Sequence, residues 1–166
     1  INATSGVTAT LAATEDDTLV NIENITGSIY NDVLTGDTNV NVISGGAGDD
    51  TIQGAGGGDT LDGGSGTNDT LTYLGFGSAV TVDLSDGSND QGDTISGFEN
   101  VTGTNAADTL TGTSNANTIT GGGGDDLIDG GAGGDTLIGG SGTDTVSYRN
   151  ASVGVDIDLM LGTGSN

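Results

Sequence analysis

The 166-residue chain contains no cysteine, no histidine and no proline, and its single basic residue, Arg149, stands against 24 acids. Each absence removes a class of chemistry. Metal-thiolate, disulfide and imidazole chemistry are excluded, which disfavours zinc and heme sites. A formal charge of −23 leaves no basic patch for phosphates, nucleic acid or an anionic membrane, so the natural counter-ions are cations. No 18-residue apolar run is present, and the opening INATSGVTAT lacks the charged and apolar regions of a signal peptide. With 34 glycines and 3% aromatics, composition alone is equally that of a disordered low-complexity segment.

Periodicity points the other way. The stretch IENITGSIYNDVLTGDTNVNVISGGAGDDTIQG from Ile22 aligns with FENVTGTNAADTLTGTSNANTITGGGGDDLIDG from Phe98, 76 positions on. The match continues through GGSGTNDTLTY and GGSGTDTVSY, where one extra residue near Asn68 reduces the offset to 75, and then VTVDL (80–84) matches VDIDL (155–159). A weaker VTATL at Val7 reads as the tail of an earlier copy, so the chain reads as a piece of a longer array. The boundaries are 1–16 for that tail, 17–92 for a first unit with nonapeptides at 27–72, and 93–166 for a second with nonapeptides at 103–147.

Within each unit single aliphatic residues recur every nine positions: Ile25, Leu34, Ile43, Ile52 and Leu61, then Val101, Leu110, Ile119, Ile128, Leu137 and Val146. A helix needs spacings of three and four, so this ladder is not helical. Each rung sits in a short segment such as TIQ, TLD or TLT, followed almost at once by glycine, which predicts brief strands between glycine loops. Stacked coils of this kind bury a core one side chain wide and complete each other's backbone hydrogen bonds.

The best-formed repeats are GGAGDDTIQ (45–53), GAGGGDTLD (54–62), GGGGDDLID (121–129) and GGAGGDTLI (130–138). Ala55 apart, they fit G-G-x-G-x-D-x-U-x, where U is the aliphatic rung, and the chain resembles the repeats-in-toxin (RTX) family of calcium-binding parallel β-rolls. The resemblance implies an all-β parallel β-roll, a β-solenoid of tandem nonapeptides with calcium-binding turns and two nonapeptides per coil. Chemistry agrees: glycines bring carbonyls close, and an acid at position six adds a charged oxygen, which suits a hard cation taking six to eight oxygens. Calcium fits better than magnesium, which prefers tighter octahedral shells, or softer metals, which favour histidine and cysteine.

Position six falls on Asp32, Asn41, Asp50, Asp59 and either Asn68 or Asp69, then on Asp108, Asn117, Asp126, Asp135 and Asp144. Given two nonapeptides per coil, residues 18 apart stack about 4.8 Å from each other. The pairs are Asp32 with Asp50, Asn41 with Asp59, Asp108 with Asp126, Asn117 with Asp135 and Asp126 with Asp144. Asp50 with Asp69 completes the set if the inserted residue bulges outward. Without a cation, carboxylates about 5 Å apart repel by roughly 3 kcal/mol at an effective dielectric near 20. By resemblance, carbonyls of Gly46, Gly48, Gly57, Gly122, Gly124, Gly131 and Gly133 fill the shells, with about three calcium ions per unit. GSIYND and GTNAAD lack the later glycines, and Asn41 and Asn117 offer neutral oxygens, so these sites are expected to be weaker.

Asp16, Asp37, Asp86 and Asp90 lie off the register and read as solvated loop charges, and Asp62 and Asp129 as outward strand residues. Glu23 and Glu99 read as joining residues between units, Tyr73 and Tyr148 as covers for the end of the core, and VTVDL and VDIDL as longer half-buried strands that cap or link rolls. The expected function is a calcium-dependent structural module of a large secreted or cell-surface bacterial protein. It would fold outside the cell after type I secretion, as the resemblance implies, and serve as scaffold, spacer or surface-assembly element (adhesin or S-layer). Its partners would be calcium and adjacent repeat units, with self-assembly at the cell surface and neither nucleic acid nor membrane insertion. The alternative is a ligand- or ice-binding face built from outward threonines (Thr51, Thr60, Thr109, Thr111, Thr118, Thr120, Thr136), interrupted by Val33, Val42, Gln53, Leu127, Asp129 and Ile138. An enzyme is disfavoured, because the recurring carboxylates are assigned to metal.

Overall fold

The computed structural model describes Thr8–Ala9, residues 19–157 and Leu159. Its strands are three residues long in most cases, as the x-U-x segments predict. The first half holds β1 (Thr8–Ala9), β2 (Asn24–Thr26), β3 (Val33–Thr35), β4 (Val42–Ser44), β5 (Thr51–Gln53), β6 (Thr60–Asp62), β7 (Thr70–Thr72) and β8 (Thr81–Asp83). The second holds β9 (Ser88–Asn89), β10 (Thr94–Ser96), β11 (Asn100–Thr102), β12 (Thr109–Thr111), β13 (Thr118–Gly123), β14 (Leu127–Asp129), β15 (Thr136–Ser141) and β16 (Thr145–Val146). They form two sheets, a seven-stranded one in the order β1-β3-β5-β7-β11-β13-β15 and a nine-stranded one in the order β16-β14-β12-β8-β9-β10-β6-β4-β2. The chain is a parallel β-solenoid of about seven turns, as expected from the resemblance.

Consecutive strands from β2 to β8 alternate between the sheets, so each coil consumes two nonapeptides. Register shows it directly: Asn24 sits opposite Val42, Val33 opposite Thr51 and Thr118 opposite Thr136. Between β5 and β7 the shift is one residue larger, with Thr51 opposite Thr70. Asn68 absorbs the difference, since Thr67 still bonds Asp49 while Asp69 bonds Asp50, and Asn68 itself is exposed.

A three-residue strand turns only its middle side chain inward. Leu34, Ile43, Ile52, Leu61, Val101, Leu110, Ile119 and Ile128 are accordingly buried in single file, joined by Leu71, which the insertion takes off the nine-residue count. Ile25 and Leu137, near the ends, are partly buried, and the predicted rung Val146 is exposed.

The junction between units departs from simple stacking. After β7 the chain runs to β8, turns back through the antiparallel β9, and only then lays β10 against β6 and β11 against β7. Tyr73, Val80, Val82, Ile95 and Phe98 bury themselves here. Tyr73 is therefore inside the stack and not at its end, and Asn89 donates to its hydroxyl at 2.6 Å. VTVDL supplies the three-residue β8, whereas VDIDL forms no described strand and exposes Val155 and Ile157, because no neighbouring strand pairs with it. The predicted tail at 1–16 lies outside the described residues apart from β1.

The backtrack has a consequence for symmetry. Strands β2 and β11 are equivalent in the repeat but lie in opposite sheets, as do β3 and β12, and β4 and β13. Successive units are thus turned by half a coil.

Candidate metal centre

The position-six side chains stand in two columns, one along each edge of the roll. The backbone amide of each donates to the carboxylate one coil further on: Asp32 to Asp50 Oδ1 at 2.7 Å, Asn41 to Asp59 at 2.8 Å, Asp50 to Asp69 at 2.7 Å. In the second unit Asp108 donates to Asp126 at 2.8 Å, Asn117 to Asp135 at 3.0 Å and Asp126 to Asp144 at 3.1 Å. The five pairs expected at the 18-residue spacing are brought together, and so is Asp50 with Asp69, 19 residues apart, so that Asp69 rather than Asn68 stands in the column.

Two residues outside the expected set extend the columns across the junction. Asp59 donates its amide to Asp93 Oδ1 at 2.7 Å, and Asp69 donates to Glu99 Oε2 at 3.0 Å. Glu99 thus has the joining role its recurrence implied. Asp93 falls off the nine-residue count, because it lies 34 residues from its partner.

The second carboxylate oxygen divides the loops into two kinds. Where position two is neither glycine nor the positive-φ Ala55, that residue's amide closes onto the position-six side chain: Ser28 onto Asp32 Oδ2 at 2.5 Å, Asp37 onto Asn41 Oδ1 at 2.8 Å, Thr104 onto Asp108 Oδ2 at 2.6 Å and Thr113 onto Asn117 Oδ1 at 2.7 Å. In the glycine-rich loops no such closure occurs, and Oδ2 of Asp50, Asp59 and Asp126 is buried with no hydrogen-bond partner. An unsatisfied buried carboxylate oxygen is costly and calls for a ligand. Asp69 is intermediate, its Oδ2 accepting a long 3.2 Å bond from Gly66, and Asp135 and Asp144 are only half-buried.

Glycine makes room for these oxygens. A Cβ at Gly121 would strike Asp126 Oδ2 and come within 2.6 Å of the Gly139 carbonyl, and one at Gly45 would strike Asp50 Oδ2 and the Gly63 carbonyl. Carboxylate and next-coil carbonyl therefore share one small cradle. Besides the expected carbonyls at positions two and four of the repeat, those of position one, such as Gly63 and Gly139, stand close to the carboxylates. The seven expected glycines all hold a positive φ, for example 105° at Gly46 and 114° at Gly48, a conformation that side chains rarely adopt. Several of their carbonyls face the following coil. That of Gly46 accepts the Ser65 amide at 2.9 Å, those of Gly48, Gly122 and Gly124 abut Gly66, Gly140 and Gly142, while Gly57 and Gly133 pack on the Asn39 and Asn115 carbonyls and the Gly131 amide bonds Asp129.

Burial pushes the Asp59 carboxyl up to about 6, with Asp93 and Asp37 adding repulsion. Burial likewise raises Asp50 and Asp126, against which Asp69, Asp32 and Asp49, and Asp108, Asp144 and Asp125, add their charges. No lysine or histidine exists to offset this. Among the described residues no three acidic side chains converge on a point. The cradles instead combine one or two carboxylate oxygens with carbonyls, an all-oxygen set that fits a calcium-sized hard cation and offers nothing to a soft one.

A family model described as the RTX calcium-binding nonapeptide repeat (4 copies) matches residues 35–71, 102–137 and 111–146. No curated protein matches the chain.

Proposed function

We propose that this chain, whose repeats belong to the RTX calcium-binding nonapeptide repeat family, is a calcium-dependent folding module of a secreted or cell-surface protein, serving as scaffold, spacer or assembly element. The observation that carries it is the buried, unpartnered Oδ2 of Asp50, Asp59 and Asp126. Calcium in these cradles would be held by those carboxylates with the carbonyls of Gly63 and Gly139 and of the neighbouring loop glycines. It supplies the charge that lets the two acidic columns close. Asp32, Asn41, Asp108 and Asn117, already bonded by loop amides, would contribute weaker or no sites, with Asp69, Asp135 and Asp144 between these extremes.

A ligand binding only the folded state adds RT ln(1 + [L]/Kd) per site. Extracellular calcium sites typically have Kd near 10⁻⁴ to 10⁻³ M. A module tuned to that range stays open at cytosolic calcium and closes outside the cell, which suits export as an unfolded chain. Limited proteolysis tests this. Rapid cleavage at submicromolar calcium and protection at millimolar calcium is expected, and equal susceptibility in both would overturn the proposal.

A second reading, a ligand- or ice-binding face, draws on one observation. The outer positions of β5, β7, β11, β13 and β15 carry Thr51, Thr70, Thr72, Thr102, Thr118, Thr120 and Thr136 with no charged residue, while Asp62, Asp83 and Asp129 lie on the other sheet together with Val42 and Leu127. Val33, Gln53 and Ile138 still interrupt the array. Thermal hysteresis in the calcium-loaded protein would favour this reading, and its absence with an intact fold leaves the scaffold role.

A further inference from the structure

Of the three carboxylates with a buried, unpartnered Oδ2, two stand in regular stacks and one faces the junction. Asp50 and Asp126 have the position-one carbonyls of Gly63 and Gly139 beside them, each in the path of a Cβ placed at Gly45 or Gly121. At Gly54 the same Cβ meets, within 3.2 Å and among the described residues, only Asp59 itself and Leu61. One coil on from Gly54 the chain offers no glycine but Ser88, which β9 turns back against β10. Position two of this loop is also Ala55 instead of glycine. Calcium affinity follows the ligand set and its rigidity, so the Asp59 cradle is the poorest of the three.

The backbone is thin on the same side of the junction. The seven-stranded sheet passes directly from unit to unit, with all three residues of β7 paired in parallel with those of β11. The nine-stranded sheet passes only through β9, which meets β10 at the single pair Ser88 with Thr94 and β8 at two. No residue from Asp86 to Asp93 is buried. The segment is held by the Asp90 amide on the Thr81 carbonyl at 3.0 Å, the Ile95 amide on that of Gly87 at 3.2 Å, and Asn89, whose side-chain nitrogen donates to the Tyr73 hydroxyl at 2.6 Å and to Asp93 Oδ2 at 2.8 Å. Asp93 accepts the Asp59 amide while its charge opposes that of Asp59. Segments with few buried apolar contacts are the ones that open locally.

We propose that Asp59 and Asp93 form a calcium-operated latch between the two units: a cation in the Asp59 cradle offsets their repulsion and locks segment 86–95 in place, and this cradle is the last of the three to fill and the first to empty. The paired β7 and β11 are the hinge on the opposite side. The proposal rests on the calcium reading above and adds to it a range of calcium in which both units are folded and the junction is open. Above that range the roll is continuous in both sheets. Within it, only the seven-stranded sheet crosses from unit to unit.

Hydrogen–deuterium exchange read by mass spectrometry on the full chain, across a calcium titration, tests it. Segments 42–53 and 118–129, which hold Asp50 and Asp126, are expected to gain protection together with 70–72 and 100–102, and segment 86–95 to follow at several-fold higher calcium. Asn89→Ala, which unties Tyr73 from Asp93, is expected to raise the calcium midpoint of 86–95 further and to leave those of 42–53 and 118–129 unchanged. Protection of 86–95 at the same calcium as the rest, or a variant that shifts every segment equally or none, overturns the latch while leaving calcium-dependent folding standing. Protection that does not respond to calcium in any segment overturns both.

Discussion

The amide of Asp108 donates to Oδ1 of Asp126 at 2.8 Å, while Oδ2 of the same carboxylate is buried with no partner. One oxygen thus joins coil to coil, and the other is the one the proposed function gives to calcium. The same division holds at Asp50 and Asp59, which makes these three side chains the centre of the calcium account.

Asp126→Ala is expected to raise the calcium midpoint of folding roughly tenfold or more, about 1.4 kcal/mol per tenfold. Asp86→Ala, in an exposed turn off the columns, is expected to leave it unchanged. Calcium titrations of the two variants check this, and equal shifts would refute the register.

Gly121→Ala forces a Cβ into the space of Asp126 Oδ2, so calcium affinity and folding should both fall sharply. Gly56→Ala meets nothing within 4 Å and holds no positive φ, so its effect should stay within about 0.5 kcal/mol. Thermal melts in calcium distinguish the two.

Without calcium, pH dependence should run opposite to that of most proteins. Asp59 is raised from 3.8 to about 6 in the fold, so the fold favours the protonated form. That contribution is fully present below about pH 3.8 and is lost as pH rises through about 6, with Asp50 and Asp126 acting in the same direction. Melts in chelator should show stability falling between pH 4 and 7. With calcium the order reverses, because protons compete for the same oxygens.

Tyr73→Phe removes the hydroxyl that accepts the Asn89 amide at 2.6 Å, and should cost about 1 kcal/mol. Leu71→Ala, fully buried two residues before it, should cost about 2–5 kcal/mol. Comparing denaturation midpoints of both in saturating calcium measures how tightly the junction couples the units.

Most of the solenoid was legible in the sequence because its register is arithmetic. The spacing gives a strand every nine residues, and the coil of 18 that the RTX resemblance implies then places Asp32 under Asp50 and Asp108 under Asp126. The junction escaped that arithmetic. Strand β9, Ser88–Asn89, carries no apolar rung, and the one signal of an antiparallel return is the Asp86–Gly87 turn after VTVDL, with Gly87 at a φ of 73°. The return shifts Asp93 to 34 residues from Asp59 and turns the second unit by half a coil. VDIDL shows the limit from the other side: its alternation matches that of VTVDL, yet a three-residue strand forms only where a neighbour pairs with it. The stacking of position six was legible, whereas the approach of the position-one carbonyls to the same carboxylates arises only once coils are stacked.

Far-UV circular dichroism during calcium titration, reversed with excess chelator at neutral pH, tests the central claim most directly. The account predicts a chain with little regular structure in chelator that gains cooperative β structure as calcium reaches the submillimolar to millimolar range, and loses it again on chelation. A β spectrum that is already complete in chelator and unchanged by calcium would contradict it.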